Sequence, residues 1–211
     1  MNTEQAYNLW SAQYDSNENK TRDLEGEALK VTLAGYAFRS VLEIGCGTGK
    51  NTSTLLDLAE QVRAVDLSEE MLRIAREKIS SSRVEFLRAD LTGAWDFAGE
   101  QYELITFSLV LEHIEDLGPV FKKAAGALAA GGMVYAGELH PFKQYHGSKA
   151  RFDTPKGVQV VPCFTHHVSD FTQAAEESGL EILTLKEFFD ADDRSSPPRI
   201  LSLLFRKPAS L

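Results

Sequence analysis

Three closely spaced glycines and a later aspartate are the residues of this sequence best suited to bind a ligand. Gly45, Gly47 and Gly49 follow directly on the apolar run 41–44, and Asp66 stands 21 residues after Gly45 at the end of a second apolar run. Glycine permits positive φ and carries no Cβ, so a ligand can lie directly against the backbone. In a doubly wound sheet, an acidic residue about 20 positions beyond such a turn accepts hydrogen bonds from a ribose diol. The spacing therefore predicts a site for a nucleoside-like ligand.

A strand, a turn and a helix are the elements that must position these glycines. Val41, Leu42 and Ile44 form a short apolar run that is typical of a strand covered on both faces. Residues 50–59 then carry apolar side chains at helical spacing. The pattern is G-x-G-x-G, and Lys50 occupies the position that would complete G-x-G-x-x-G. The glycines alone are weak evidence, whereas the complete order of strand, turn, helix, strand and terminal aspartate is specific.

At this point the sequence resembles the class I S-adenosylmethionine-dependent methyltransferases that act on small molecules. The resemblance extends over about residues 36–140 and weakens on both sides. It rests on segments 43–49, 66–68, 89–91, 108–114 and 131–132. It implies S-adenosylmethionine as cofactor, S-adenosylhomocysteine as product, and a small-molecule acceptor methylated on oxygen, nitrogen or carbon.

The resemblance also implies roles for individual residues. Asp66 is expected on the ribose hydroxyls, Asp90 on the adenine amino group, and Glu43 near the cofactor's ammonium group. Arg22 is expected at the cofactor's carboxylate, although a solvated arginine at a helix start is an equal alternative. The whole set of expected cofactor-binding residues comprises Tyr14, Arg22, Glu43, Gly45, Cys46, Gly47, Gly49, Asp66, Leu67, Met71, Asp90, Leu91, Ser108, Leu109 and His113.

Histidines are the candidate general bases. His140, His113 and His146 are the three considered, and each has a structural role as its alternative. A base is needed only where the acceptor must lose a proton early, so a phenol or alcohol benefits from one and a carboxylate does not. Aromatic residues near the N-terminus, which include Tyr7, Trp10 and Tyr14, are expected either in the core or in a lid helix over the ligand cleft.

The alternation of helical and strand patterns predicts the fold class. We expect an α/β, Rossmann-like three-layer α/β/α sandwich with a mostly parallel seven-stranded sheet. Runs 180–188 and 200–205 have no helix between them, so they are expected to form a C-terminal antiparallel hairpin. We expect one domain over residues 1–211, which divides into an N-terminal helical lid (1–38), a cofactor-binding core (39–140), a substrate-covering insertion (141–166) and a C-terminal helix and hairpin (167–211).

The polar residues beside the helical patterns also predict individual helix starts. Thr3 is expected to cap a helix over residues 3–14, and a second helix is expected from about Asp23 to Phe38. Ser169 is expected to cap a later helix, and the insertion allows a hairpin around Lys156-Gly157.

Composition restricts the partners and the location. The 211 residues carry a formal net charge of −9, which disfavours nucleic acid as the substrate. Cys46 and Cys163 are the only cysteines and form no disulfide framework, so the cytoplasm is expected. No apolar run is long enough to span a bilayer, and no metal is expected, because the adjacent pair His166-His167 lacks further ligands at zinc spacing.

Two other functions remain open from the sequence. A nicotinamide-dependent oxidoreductase would share the nucleotide-binding pattern, although Lys50 and the terminal hairpin argue against it. A protein that binds the cofactor without transferring a methyl group is the non-enzymatic alternative. The sequence leaves open whether the chain is a monomer or a homodimer.

Overall fold

The computed structural model describes residues 1–99, 101–155 and 157–209. The α-helices within these residues are α1 (Thr3–Tyr14), α2 (Lys20–Thr32), α3 (Lys50–Leu58), α4 (Glu69–Lys78), α5 (Leu117–Ala127), α6 (Pro141–Tyr145) and α7 (Val168–Glu177). The strands are β1 (Phe38–Ile44), β2 (Ala59–Asp66), β3 (Val84–Arg88), β4 (Tyr102–Ser108), β5 (Leu128–Leu139), β6 (Arg151–Thr154), β7 (Gly157–Val160), β8 (Glu181–Phe188) and β9 (Ile200–Arg206).

Seven of the described strands form one sheet in the order β3-β2-β1-β4-β5-β9-β8. Neighbours from β3 to β5 are parallel, while β9 is antiparallel to both β5 and β8. Ile44 is in register with Val65 of β2 and with Phe107 of β4, so these three strands end at the same edge. The prediction of a mostly parallel seven-stranded sheet with a C-terminal antiparallel hairpin is confirmed.

Helices cover both faces of the sheet, which explains why the central strands are apolar throughout. Leu42 and Phe107 belong to a buried cluster that includes residues of α5 and α7. Val41 and Leu104 belong to a second cluster that includes residues of α2 and α3. Because successive side chains of a strand point to opposite faces, one strand supplies both clusters.

Helix starts are where the sequence prediction was least accurate. Helix α1 is capped by Asn2, whose side chain accepts a hydrogen bond from the Gln5 amide, and not by Thr3. Helix α2 begins at Lys20 after the cap Asn19, earlier than expected, and ends at Thr32 because the chain enters β1 at Phe38. Helix α7 begins at Val168, so the predicted cap Ser169 lies inside it.

The insertion after β5 packs against the N-terminal helix. It consists of α6 and of the antiparallel pair β6–β7, which forms a separate two-stranded sheet. Phe152 of β6 stacks on Trp10 of α1 with ring centroids 5.2 Å apart, and both belong to a third buried cluster with Ala6 and Val161. A hairpin was expected near residues 156–157, and Lys156 lies outside the described residues. The N-terminal helix α1 and the insertion, both of which were predicted to cover the ligand site, therefore contact each other.

Candidate active site

A cavity of about 340 Å³ opens at the carboxyl ends of β1, β2 and β4. Ligands in open α/β sheets bind at this edge, and the volume lies within the range of cofactor pockets. Eleven of the fifteen residues expected at the cofactor line this cavity: Tyr14, Gly45, Gly47, Asp66, Leu67, Met71, Asp90, Leu91, Ser108, Leu109 and His113. The four others, Arg22, Glu43, Cys46 and Gly49, lie close to the same turn.

The glycine turn has positive φ at each of its three glycines: 73° at Gly45, 54° at Gly47 and 82° at Gly49. A Cβ on Gly45 would lie 2.7 Å from a methyl carbon of Val110, so this glycine is required by packing. A Cβ on Gly47 would meet nothing within 4 Å, so the space beside it is open to a ligand. Gly49 precedes α3 and approaches Ile79, which gives it a packing role rather than a place on the cavity wall.

Asp66 connects the glycine turn to the start of α4. One carboxylate oxygen accepts a hydrogen bond from the Gly47 amide at 2.8 Å, and the other accepts from the Ser68 amide at 2.8 Å. Burial raises the pKa of Asp66, while these backbone N–H groups lower it. The carboxylate is thus held in a fixed orientation on the cavity wall, as recognition of a diol requires.

Glu43 lies deeper, beneath the glycine turn. It is 3% exposed, and its Oε2 accepts a hydrogen bond of 2.5 Å from Thr52 Oγ1. Burial raises the pKa of Glu43 to about 8. A small cavity of about 40 Å³ joins this carboxyl group to the site. It is lined by Glu43, Cys46 and Arg22, and also by Gly45 and other residues that line the larger cavity.

Apolar side chains line the part of the cavity beyond Asp66. Leu67, Met71 and Leu91 lie on its wall, as does Asp90. Asp90 also accepts hydrogen bonds from Thr92, at 2.8 Å from the amide and 2.7 Å from the hydroxyl. This region combines apolar surface with one carboxylate, which fits a flat heteroaromatic ring that has an amino group.

Helix α1 crosses the mouth of the cavity and meets His113. Tyr7 Oη lies 2.8 Å from His113 Nε2, and His113 Nδ1 lies 2.8 Å from the Pro162 carbonyl oxygen. A carbonyl only accepts, so Nδ1 carries a hydrogen, and in the neutral imidazole Nε2 accepts from the Tyr7 hydroxyl. Tyr7 was not among the predicted site residues, although its place in the aromatic cluster of α1 was noted.

Arg22 and Tyr14 form the second contact between the N-terminal helices and the site. The guanidinium carbon of Arg22 lies 4.6 Å from the centre of the Tyr14 ring. Arg22 also donates hydrogen bonds to the carbonyl oxygens of Tyr14 and Asn17. Burial raises the pKa of Tyr14 to about 12. Arg22 is therefore held by neutral groups at the edge of the site.

The three candidate bases are placed differently. His113 lines the cofactor cavity. His140 bonds Glu187 at 3.1 Å through Nε2 and accepts from the Phe142 amide through Nδ1, and burial lowers its pKa. His146 is exposed and packs on Phe142, with ring centroids 4.8 Å apart. Among the described residues that line this cavity, or the second cavity described next, neither His140 nor His146 occurs.

A second cavity of about 390 Å³ adjoins the first. Tyr7, Tyr14 and Leu109 line both, so these three side chains form the boundary between them. The rest of its wall comes from Trp10 of α1, residues 18–22, residues 148–151 of the insertion, and Glu112, Leu139 and Arg199. The structure thus has a pair of adjoining spaces, as a reaction between two bound molecules requires.

Residues 41–132 match the methyltransferase domain family. This match supports the resemblance to the class I S-adenosylmethionine-dependent methyltransferases over 92 of the 211 residues. It is 29% identical over 156 residues to the ubiquinone biosynthesis O-methyltransferase of Xanthomonas euvesicatoria, an alignment that covers 72% of this chain and 63% of that relative. The chain thus spans less than two thirds of that relative's length.

Solved structures share the fold over nearly the whole chain. The DhpI complex with S-adenosylhomocysteine has a TM-score of 0.78 at 23% identity, covering 99% of this chain and 96% of the other. The N-methyltransferase NodS of Bradyrhizobium japonicum, also in complex with S-adenosylhomocysteine, has a TM-score of 0.72 at 20% identity, covering 99% and 100%. At these identities the likeness establishes the fold.

Within the described ranges, no group of three or more histidine, cysteine, aspartate or glutamate side chains is arranged to hold a metal ion. Among the same residues, no helix is both long and apolar enough to cross a membrane.

Proposed function

We propose that this protein transfers a methyl group from S-adenosylmethionine to a small-molecule acceptor. The observation that carries the proposal is the cavity in which the open face of Gly47 and the fixed carboxylate of Asp66 stand side by side. This arrangement fits a ligand with a ribose diol, because a carboxylate accepts hydrogen bonds from hydroxyls. The family match favours this reading over a nicotinamide-dependent oxidoreductase.

The remaining residues suit the two ends of that cofactor. Leu67, Met71 and Leu91 offer apolar contact to an adenine ring beside Asp90. Glu43 and Arg22, on the small adjoining cavity, offer a carboxyl group to the cofactor's ammonium group and a guanidinium group to its carboxylate. When bound, S-adenosylmethionine supplies a methyl group activated by a positively charged sulfur. The protein's own task is to align and desolvate the reactants.

His113 is the residue we propose for proton transfer where the acceptor requires it. Its Nδ1–H is fixed by the Pro162 carbonyl, so the lone pair of Nε2 is available to a hydroxyl, as the Tyr7 contact illustrates. An acceptor hydroxyl in the place of Tyr7 would donate its proton to the same nitrogen. The relatives include an enzyme named for O-methylation and one named for N-methylation, so they leave the accepting atom open. The cytoplasm and a monomeric or homodimeric state belong to the same proposal.

Calorimetry with S-adenosylhomocysteine tests the cofactor. We expect saturable binding by the wild-type chain and about 100-fold weaker binding by Asp66→Ala, because two hydrogen bonds to a charged group are lost. Asp57→Ala is the matched control, since Asp57 is exposed on α3. Wild-type affinity in Asp66→Ala, or no binding by the wild type, would overturn the assignment.

Two further measurements separate the alternatives. Fluorescence titration with NADH would show saturable binding if the cavity serves a nicotinamide cofactor, and we expect none. Transfer of label from methyl-labelled S-adenosylmethionine to a metabolite extract distinguishes an enzyme from a protein that only binds the cofactor.

A further inference from the structure

The second cavity has a strongly basic wall. Five basic side chains line it: Lys20, Arg22, Lys149, Arg151 and Arg199. Only two acidic residues, Glu18 and Glu112, share that wall. The chain as a whole has a net charge of −9, so this excess of positive charge is opposite to the average of the protein. Electrostatic complementarity therefore favours a negatively charged occupant.

Most of this positive charge is not neutralised by carboxylates of the described residues. Arg199 is bound by Asp190 through two contacts of 2.5 Å. Arg22 donates to backbone carbonyls, and a guanidinium has five N–H donors, so several remain available. For Lys20, Lys149 and Arg151, no salt bridge occurs within the ranges 1–99, 101–155 and 157–209.

Buried polar atoms on the same wall also lack partners. Trp10 is 6% exposed, and its indole N–H has no acceptor among the described residues. Glu112 is 6% exposed, and its Oε2 has no partner there either. Burial raises the pKa of Glu112, which opposes a negative charge on this carboxyl group. Buried groups without partners are costly, and an oxyanion would give the indole N–H of Trp10 an acceptor.

We propose that the second cavity is the acceptor site and that its occupant carries an anionic oxygen group, a carboxylate, phosphate or phosphonate, on an apolar body. The aromatic wall formed by Tyr7, Trp10 and Tyr14 provides the apolar surface. This inference rests on the proposed methyl transfer, because it names the class of acceptor for that reaction.

Transfer to the anionic oxygen itself requires no base. The oxygen lone pair forms the new O–CH₃ bond as the S–CH₃ bond breaks, and the electron pair of the broken bond remains on sulfur. The sulfur loses its positive charge and the acceptor loses one negative charge. A methyl ester with less negative charge is held more weakly by Lys149 and Arg151 than the acid is, so the basic wall also favours release of the product.

The experiment uses the full chain saturated with S-adenosylhomocysteine and a set of matched probes. Benzoate, phenylphosphonate, benzamide and benzyl alcohol share one ring and differ in charge, and hexanoate and hexanamide repeat the comparison on an aliphatic body. Binding is measured by ligand-observed NMR at low and high salt. We expect saturable binding of the acids, at least 10-fold weaker binding of the neutral probes, and weakening of acid binding by salt. The comparison of benzoate with phenylphosphonate shows which of these two kinds of anion binds more tightly.

A double substitution tests the basic wall. Lys149→Gln with Arg151→Gln removes two exposed charges, and we expect acid binding to weaken on the order of 10-fold with unchanged affinity for S-adenosylhomocysteine. Lys122→Gln with Lys186→Gln changes the net charge equally and lies outside both cavities. This control is expected to bind the acids as the wild type does.

The outcomes distinguish the two proposals. If S-adenosylhomocysteine binds but the neutral probes bind as well as the acids, or the double variant binds the acids normally, the anionic acceptor is refuted and the methyl transfer remains. If S-adenosylhomocysteine does not bind, the proposed function fails, and the assignment of an acceptor site fails with it.

Discussion

Glu43 provides a quantitative test of how the buried carboxyl groups of this site affect stability. The change is Glu43→Gln, which keeps the size of the side chain and an oxygen that can accept the hydrogen bond from Thr52. Burial raises the pKa of Glu43 from an ordinary 4.5 to about 8. The folded protein therefore binds a proton at this group over a pH interval in which the unfolded chain has released it.

The sign of the effect follows from proton linkage. Where the folded state binds more protons, the free energy of unfolding falls as pH rises, so the stabilising contribution is complete below pH 4.5 and lost by about pH 8. At 1.36 kcal/mol per pH unit, the interval from 4.5 to about 8 corresponds to a loss of about 5 kcal/mol. Glutamine does not titrate, so the variant should equal the wild type at pH 4.5 to 5 and exceed it by several kcal/mol near pH 8.5.

Urea unfolding at pH 5, 6.5 and 8.5 measures the difference. Midpoints and m-values are compared among the wild type, Glu43→Gln and Glu77→Gln, which removes an exposed carboxylate from α4 and serves as the control for charge. If Glu43→Gln loses the same stability between pH 5 and 8.5 as the wild type does, the buried carboxyl group is not the cause. We also expect the variant to bind S-adenosylhomocysteine more weakly, which would explain the presence of a destabilising glutamate here.

Two other substitutions test the turn and the lid. Gly45→Ala places a methyl group 2.7 Å from Val110 at a residue whose φ is 73°. We therefore expect the free energy of unfolding, measured by urea titration, to fall by roughly 2 to 4 kcal/mol. An unchanged urea midpoint would show that the turn can relax. Tyr7→Phe removes the hydroxyl group that contacts His113. We expect kcat/KM to change several-fold with little change in the free energy of unfolding. A change in the free energy of unfolding alone would give Tyr7 a purely structural role.

Local patterns were sufficient to predict most of the fold. Two features of the sequence determine much of the sheet topology. The apolar runs predict the parallel strands β1 and β2, and the lack of a helix between β8 and β9 predicts their antiparallel pairing. Helix starts were predicted less well, because a cap is decided by which side chain reaches a free amide. Asn19 does so for α2, as its oxygen accepts from the Arg22 amide at 3.0 Å, whereas the sequence offered several polar residues.

The contacts that assemble the site could be predicted only in part. Asp66 and the glycines lie within one βα unit, so spacing along the chain determines their proximity. Tyr7 and His113 are 106 residues apart, and their contact depends on how α1 lies across the sheet. No periodicity in the sequence encodes that orientation. Likewise, the basic residues of the second cavity come from separate segments, and none of those segments is strongly basic by itself.

The boundary between the two cavities is where a methyl group would have to pass if both proposals hold. Leu109 lines both cavities and has a φ of 55°, a conformation that costs a non-glycine residue about 1 to 2 kcal/mol. Its amide donates to the Gly137 carbonyl at 2.8 Å, and the next two amides, of Val110 and Leu111, donate to Glu138 Oε1 at 3.1 and 2.9 Å. The buried Glu138 thus holds the chain after β4 in a turn that regular backbone would not adopt, and Leu109 is fixed between the two spaces because that turn is fixed.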